Sequence, residues 1–332
     1  MNDWAVVLLR IGAMFLVICV GWIGRRRGFL ANETTGVLSR LVVDVAFPAL
    51  GLTSMLRTID PVALRANWFC PLLGLGLIAF AYLVTALLSA SCRTAEERHT
   101  CLFLTGMPNY IFLPLPIVEG LYGNDGVRVL LLYSIGAALG FWTIGVWVLT
   151  GRKALGGALR QLAGNAGLWA TIAGIVLAIA FPPLRGLENL DPRQASLAGL
   201  AGGALIQALA IVGNLTIPLS LLAIGAQLGG LTTPWHKLSR PLWSVVIGRL
   251  LVAPLATFAA VGLLSLTGAR LGDTPRMVGY LIAMMPVGLS CAVMVERFGG
   301  DTELAAQGVF YTTLFSILTV PGLYWLVQRL GL

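Results

Sequence analysis

Stretches of about 20 predominantly apolar residues, the length that spans a bilayer core as a helix, recur along almost the whole chain. Of its 332 residues, 58% are hydrophobic and only 11% are charged, whereas soluble domains carry about 25% charged residues. Because the bilayer core offers no water to backbone polar groups, only helices and closed barrels cross it. The long apolar stretches therefore predict an all-α polytopic membrane protein.

The apolar stretches predict ten transmembrane helices joined by short loops. They lie at residues 4–24, 35–55, 68–90, 101–120, 127–149, 166–183, 201–230, 242–266, 277–296 and 304–327. An even number of spans puts both termini on one side of the membrane. Arg25, Arg26 and Arg27 follow the first span, and such charges stay preferentially in the cytoplasm. We therefore predict a protein of the cell (inner) membrane with both termini outside, in the periplasm.

The fourth predicted span is interrupted by prolines. Its central residues include Pro108, Asn109, Pro114 and Pro116. Each proline removes a backbone donor and clashes with the preceding turn, so this span is predicted to be a discontinuous helix. Broken backbone survives in a bilayer only inside protein or beside a water-filled cavity. In transporters such breaks mark the substrate site. A proline-kinked packing helix is the alternative.

The two halves of the chain share a pattern of prolines. Pro48 in the second span and Pro218 in the seventh are 170 positions apart, and so are Pro116 in the fourth span and Pro286 in the ninth. Because each half holds five spans, a repeated second half must cross the membrane in the opposite direction. Coincidental spacing of the prolines is the alternative. We predict two inverted five-helix repeats, residues 1–150 and 166–332, with a short connecting loop at 151–165 and with crossing broken helices four and nine.

Several motifs resemble those of the auxin efflux carriers and their bacterial relatives. Residues 107–109 (MPN) and 115–116 (LP) resemble the broken fourth helix of that family, and residues 216–228 (TIPLSLLAIGAQL) resemble its seventh span. The resemblance covers nearly the whole chain. It implies ten spans in two inverted repeats, a bundle of crossing helices that moves against a scaffold, and a small organic acid as substrate.

Two features depart from the family pattern. The long hydrophilic central loop of the plant members is absent, since only residues 151–164 join the two halves. This favours a prokaryotic relative and argues against auxin itself as the substrate. Pro114 stands where the family's glycine is expected before Leu-Pro, and we expect it to stiffen or reshape the break.

Candidate substrate contacts lie at the predicted breaks, where helix N-termini direct partial positive charge and N–H groups toward a carboxylate. Asn109 can both donate and accept there, and the alternative is that it satisfies a freed backbone group. Arg249, a third of the way into the eighth span, is either a counter-charge for an anion or a cation that snorkels to the headgroups. Ser290 and Gln227 are weaker candidates, with capping or packing as the alternative. The full predicted substrate site is Asn109, Pro116, Pro286, Ser290 and Arg249, and the predicted helix breaks are Pro108, Pro114, Pro116 and Pro286.

Asp44 is the candidate for ion coupling. It is the one acidic side chain well inside a predicted span, and an intramembrane carboxylate marks an ion path, a proton relay or an ion pair. Burial would let it exchange protons near neutral pH. The alternative is a structural pair with Arg40, one turn earlier. Asn214, its counterpart in the second half, cannot titrate; we group it with Asp44 and expect it to satisfy backbone near Pro218.

These features favour a secondary transporter that moves a small organic anion by alternating access, with H⁺ as one option for the coupling ion. The anion is a carboxylate, either auxin-like or a dicarboxylic acid. A sodium-coupled symporter or a sodium/proton antiporter of similar fold is the alternative. The antiporter is less favoured because neither broken segment has an acidic residue before Glu119 and Glu296.

Other functional classes find no support in the sequence. It contains no HExxH, GxSxG or Walker motif, so we predict neither an enzyme nor an ATPase, and we expect no cofactor or metal. The net charge of +8 is spread over short loops, without the basic stripe that binds nucleic acid. The predicted partners are the organic anion, H⁺ or Na⁺, and the lipid bilayer. A homodimer is one option for the oligomeric state.

Overall fold

The computed structural model describes residues 3–86, 88, 92–150, 155–187, 196–230, 239–266, 271–288 and 290–331. These described residues are almost entirely helical, and their only extended pairing is an isolated bridge between Pro108 and Val287. The prediction of an all-α chain is confirmed. Residues 151–154 of the predicted connecting loop lie outside the described ranges.

Besides the short 3₁₀ helix Pro182–Leu184, twelve helices run through the described residues. They are α1 (Asp3–Arg26), α2 (Asn32–Thr58), α3 (Pro61–Thr85), α4 (Ala95–Gly106), α5 (Pro114–Thr150), α6 (Leu155–Ala163), α7 (Ala166–Ala180), α8 (Leu197–Gly230), α9 (Arg240–Ser265), α10 (Asp273–Met284), α11 (Ser290–Phe298) and α12 (Thr302–Leu330). Within the described ranges, six of these helices (α2, α3, α5, α8, α9 and α12) are long and apolar enough to cross a membrane. This supports a multi-pass membrane protein, and ten crossings stay a prediction.

Several helices begin at a side chain that accepts a hydrogen bond from a backbone N–H of the first turn. Asp60 caps α3, Asn165 caps α7 and Asp301 caps α12 in this way. Thr94 and Glu97 form a reciprocal capping box at the start of α4. Such caps satisfy N–H groups that have no partner within the helix, and they fix where the chain leaves each loop.

Two helix pairs approach closely at glycines. In the α1–α8 pair, a β-carbon added to Gly225 would lie 1.9 Å from the carbonyl oxygen of Ile18. In the α3–α5 pair, a β-carbon added to Gly136 would lie 1.7 Å from the carbonyl oxygen of Pro71. Small residues allow helix backbones to meet in a membrane, where packing drives association. These four helices are therefore in backbone contact.

The helices form two groups. In the first, α1 packs along Thr216–Gly230 of α8, and α7 packs along Phe47–Thr58 of α2. In the second, α3 packs on α5, α4 on α9, and α10 on α5, while α12 contacts α4, α9 and α11. Contacts between the groups are fewer and involve mainly α1, α5 and α12. We call these sets the four-helix group (α1, α2, α7, α8) and the crossing group (α3, α4, α5, α9, α10, α11, α12).

The polypeptide is non-helical between α4 and α5 and between α10 and α11. We call residues 107–113 and 285–288 the two crossing segments. The predicted equivalence of Pro116 with Pro286 is wrong in register, because Pro286 lies in a crossing segment whereas Pro116 lies in the first turn of α5. The ends of α4 and α10, Gly106 and Met284, are 178 positions apart rather than 170.

Pro114 and Pro116 begin a helix instead of breaking one. Both lie in the first turn of α5, where backbone N–H groups have no intrahelical partner and where proline is tolerated. The helix instead changes direction nine residues later, at Gly123, whose φ of 57° and ψ of −150° are non-helical. Glycine adopts this conformation at little cost. Residues 114–122 therefore form a separate half-helix.

Candidate functional site

A cavity of about 320 Å³ lies between the four-helix group and the crossing group. Its volume falls within the range of about 300–1,000 Å³ that is common for ligand sites. The four-helix group contributes α2 and α8 to its wall. The crossing group contributes residues 108–112, Gly288, α11, and Phe141 and Trp142 of α5. The cavity thus reaches both crossing segments.

Two helices line the cavity with matching stripes. Each stripe has residues at positions i, i+3, i+4 and i+7, which share one face of a helix. Each begins with a serine, continues with two apolar residues and ends with a long polar side chain. The α8 stripe is Ser220, Ala223, Ile224 and Gln227, and the α11 stripe is Ser290, Val293, Met294 and Arg297.

The two crossing segments pair through their backbones. Asn109 N donates to the carbonyl oxygen of Pro286 at 2.8 Å, and Gly288 N donates to the carbonyl oxygen of Met107 at 3.3 Å. These bonds replace the helical bonds that are lost where the helices stop, as an apolar surrounding requires. The two segments therefore form one hydrogen-bonded unit.

Asn109 satisfies freed backbone groups and also lines the cavity, and its contact with a substrate stays a prediction. Its Oδ1 accepts hydrogen bonds from Phe112 N at 3.1 Å and from Leu113 N at 3.3 Å, which fixes the amide orientation. Asn109 lines the cavity and is 7% exposed. Among the described residues, no acceptor bonds to its Nδ2. The oxygen holds the backbone, and the amide NH₂ is available to a ligand.

Arg249 lies outside the cavity, behind the crossing segments. Its side chain is 1% exposed, so the snorkelling alternative is wrong. Nη1 donates to the carbonyl oxygen of Thr105 at 3.2 Å, and Nη2 donates to the carbonyl oxygen of Ala283. These carbonyls lie at the C-terminal ends of α4 and α10, where a cation is favoured by the helix dipole. One guanidinium thus caps both helices that lead into the crossing.

The other predicted substrate residues divide between cavity and surroundings. Ser290 lines the cavity at the start of α11, and Gln227 lines it at the end of α8. Pro116 and Pro286 are not among the lining residues. Pro108 lines the cavity, although the sequence indicated it only as a helix break. The site is therefore built mainly from Asn109, Ser290 and the two helical stripes.

Asp44 and Asn214 do not line the cavity. Both side chains are exposed in the isolated chain, so the expected burial of Asp44 is not observed. The described part of the chain contains no ion pair between Asp44 and Arg40. Asp44 lies in the π-helical turn Val42–Ala46 of α2. In that turn Val43 faces the cavity and Asp44 does not, which separates the coupling candidate from the candidate substrate site.

Sequence reasoning missed Arg297, Ser39 and Trp142, which all line the cavity. Arg297 follows the predicted end of the ninth span by one residue, so it counted as a loop charge. The signal that could have found it is the spacing of the α11 stripe, which continues from Ser290 to the last turn of that helix. Two smaller clefts are each lined by Glu97, Asp301 and Glu303, whose carboxylates repel an anion.

The chain is similar to several proteins that are named as transporters. A family model described as membrane transport protein matches residues 6–163 and 155–324. An uncharacterized transporter of Methanothermobacter thermautotrophicus is 23% identical, over 93% of this chain and 94% of that protein. An uncharacterized transporter of Methanocaldococcus jannaschii is 20% identical, over 95% and 96%. A putative malonate transporter of Rhizobium meliloti is 24% identical, over 95% and 93%. The chain belongs to the membrane transport protein family, and the family resemblance predicted from its motifs is confirmed.

Proposed function

We propose that this chain is a secondary transporter that moves a small organic carboxylate across the cell membrane by alternating access. The observation that carries the proposal is the position of the cavity, between two helix groups and against the paired crossing segments. Discontinuous helices beside a cavity are the usual substrate site of secondary transporters. The relative that is named a putative malonate transporter supports a carboxylate as the substrate class.

The electrostatics of the crossing favour an anion in the cavity. The N-terminal ends of α5 and α11 adjoin the crossing segments, and helix N-termini carry partial positive charge. The opposite, negative ends of α4 and α10 point at Arg249 instead. The amide NH₂ of Asn109 adds a donor that faces the cavity. A carboxylate would meet positive potential there without a salt bridge at the crossing.

The division of the helices supports movement of the crossing group against the four-helix group, in a chain of two inverted repeats, residues 1–150 and 166–332, with ten crossings. Each helix group draws members from both halves of the chain: α1 and α2 pack with α7 and α8, and α3 to α5 pack with α9 to α12. The end of the cavity away from the crossing segments, which we call its outer end, is lined by Ser39, Gln227 and Arg297. It lies near the start of α2 and the ends of α8 and α11. With both termini of the chain in the periplasm, this end of the cavity faces the cytoplasm. A homodimer stays a prediction.

Asn109→Asp is expected to weaken carboxylate uptake sharply. The aspartate retains an oxygen that can accept from the N–H groups of Phe112 and Leu113, but it replaces the Nδ2 donor by a negative charge. We expect the apparent KM to rise at least about tenfold, the equivalent of about 1.4 kcal/mol of binding free energy. The measurement is uptake of a panel of labelled carboxylates, malonate included, into proteoliposomes.

Asn109→Ala serves as the comparison, because it removes both the donor and the backbone acceptor. It should lower the unfolding midpoint of the purified protein more than Asn109→Asp does. Wild-type kinetics in Asn109→Asp would exclude the amide NH₂ as a substrate contact. Absence of uptake of every acid by the wild-type protein would overturn the proposed function.

Asp44→Asn tests the coupling ion. If Asp44 carries the proton, the variant should lose accumulation driven by an imposed pH gradient and retain substrate exchange without a gradient, because asparagine cannot titrate. Unchanged pH-driven uptake in the variant would exclude Asp44 from coupling. Accumulation driven by Na⁺ alone would favour the symporter alternative. Na⁺/H⁺ exchange without any acid flux would favour the antiporter.

A further inference from the structure

The cavity has two polar ends and an apolar middle. Its inner end, at the crossing, carries Asn109, Ser220 and Ser290, whereas its outer end carries Gln227 and Arg297. Between these ends the two stripes present only apolar side chains, and Phe141 and Trp142 of α5 also line the cavity. A ligand that uses both ends must therefore itself carry polar groups at both ends.

Arg297 is the only charged side chain among the described residues that line the cavity. It lies seven positions after Ser290, and at about 1.5 Å per residue the two Cα atoms are roughly 10.5 Å apart along the axis of α11. Helical side chains lean toward the helix N-terminus. A rotamer that extends back along the wall would bring the guanidinium toward a ligand that is held at the crossing.

The surroundings of the outer end are ordered by contacts within the protein. Gln227 Nε2 donates to Ser39 Oγ at 2.9 Å, and Ser39 Oγ donates to the carbonyl oxygen of Thr35 at 2.9 Å. On the opposite wall, the guanidinium carbon of Arg297 lies 5.7 Å from the ring centre of Phe298. Gln227 is thus oriented by its own bond, and the positive charge at this end belongs to Arg297.

We propose that Arg297 is a specificity-determining residue that selects short dicarboxylates over monocarboxylates by binding the second carboxylate. The inference rests on the carboxylate transport proposed above and names the substrate class of the same cavity. One carboxylate lies at the crossing, against Asn109 and the start of α11, and the other pairs with the guanidinium. Arginine suits this role because its planar fork binds a carboxylate through two parallel hydrogen bonds.

The experiment compares acids of equal chain length that differ in their second carboxylate: succinate with butyrate, and malonate with propionate. Uptake into proteoliposomes is measured for the wild-type protein, Arg297→Gln and Arg297→Lys. We expect the wild-type kcat/KM for the dicarboxylate to exceed that for the monocarboxylate at least about tenfold, as a charge-assisted pair allows. In Arg297→Gln the ratio should fall to near one, and in Arg297→Lys to an intermediate value.

Arg98→Gln is the matched control. Arg98 is exposed in α4 at the same end of the molecule, but it does not line the cavity. Its replacement should leave the dicarboxylate preference intact, which separates a specific contact from a general loss of positive charge. Arg297 is itself exposed, so both of its variants are expected to fold. If Arg297→Gln did not fold, the test would rest on Arg297→Lys, in which an unchanged ratio of dicarboxylate to monocarboxylate kcat/KM would overturn the inference.

The possible outcomes separate the two proposals. A wild-type protein without preference for dicarboxylates, or an Arg297→Gln variant that retains the preference, would overturn the inference and leave carboxylate transport standing. A wild-type protein that moves no carboxylate at all would overturn both. A second readout is the thermal shift of the purified protein. Succinate should stabilise the wild-type protein more than butyrate does, whereas the two acids should stabilise Arg297→Gln by the same small amount.

Discussion

Arg249→Gln is expected to reduce the rate of transport at least about tenfold, because the crossing would lose the group that holds its two entering helices together. A glutamine amide can reach at most one of the two carbonyls, at Thr105 and Ala283. Each buried acceptor without a donor costs about 1–3 kcal/mol, and the negative ends of two helix dipoles lose their cation. Removing a buried charge recovers part of this cost. We expect a lower unfolding midpoint together with slow transport.

Kinetics distinguish this positioning role from substrate binding. Because Arg249 lies behind the crossing segments and outside the cavity, its loss should lower kcat and change KM little. Arg249→Lys should recover part of the rate, since it restores the charge but not the two-pronged geometry. Arg240→Gln, an exposed position at the start of the same helix, is the control. An Arg249→Gln variant with a raised KM and an unchanged kcat would restore the counter-charge alternative.

Gly136→Ala is expected to destabilise the protein strongly. Its β-carbon would lie 1.7 Å from the carbonyl oxygen of Pro71, which belongs to backbone and cannot rotate away. Helices α3 and α5 would have to separate, and such overpacking costs about 1–3 kcal/mol or more. The measurement is the unfolding midpoint of the purified protein in detergent, followed by loss of the monodisperse fraction.

Gly76→Ala is the control for this prediction. Gly76 lies in α3, one of the two helices concerned, but a β-carbon there would meet nothing within 4 Å. Alanine is the better helix former by about 1 kcal/mol, so this variant should be as stable as the wild-type protein or slightly more stable. Equal midpoints for the two variants would show that α3 and α5 are not in backbone contact at Gly136.

The sequence was sufficient to predict the all-α class, the interruption in the fourth span and the position of Asn109 beside it. The apolar stretches and the polar residue among prolines are local signals. They are informative because a bilayer constrains the length of a span and requires every backbone polar group to have a partner. The alignment of the second half of the chain with the first was harder to predict from the sequence. Pro116 was assigned as a break because proline usually stops a helix, yet in the first turn it costs no hydrogen bond.

The roles of the two key arginines could not be derived from sequence. Arg249 bonds to carbonyls that are 144 and 34 positions away along the chain, and no pattern in the eighth span indicates that two helix ends meet there. Arg297 lies one residue beyond the predicted ninth span, 277–296, and the boundaries of predicted helices err by several residues. Both roles depend on how helices from opposite halves pack.

Because Arg249 caps α4 and α10 at the crossing segments, the crossing group carries a buried positive charge that responds to the membrane potential. Arg249 belongs to α9 and therefore travels with the crossing group whenever that group moves against the four-helix group, whether or not substrate is bound. Moving one elementary charge through a potential of 100 mV changes the free energy by about 2.3 kcal/mol, and by a proportionate part for a partial crossing. Under the alternating access proposed above, with both termini outside, a cell interior at negative voltage would draw the empty protein toward its inward-facing state. Depolarisation of the membrane would then shift the empty protein away from the inward-facing state, even with all solute gradients unchanged.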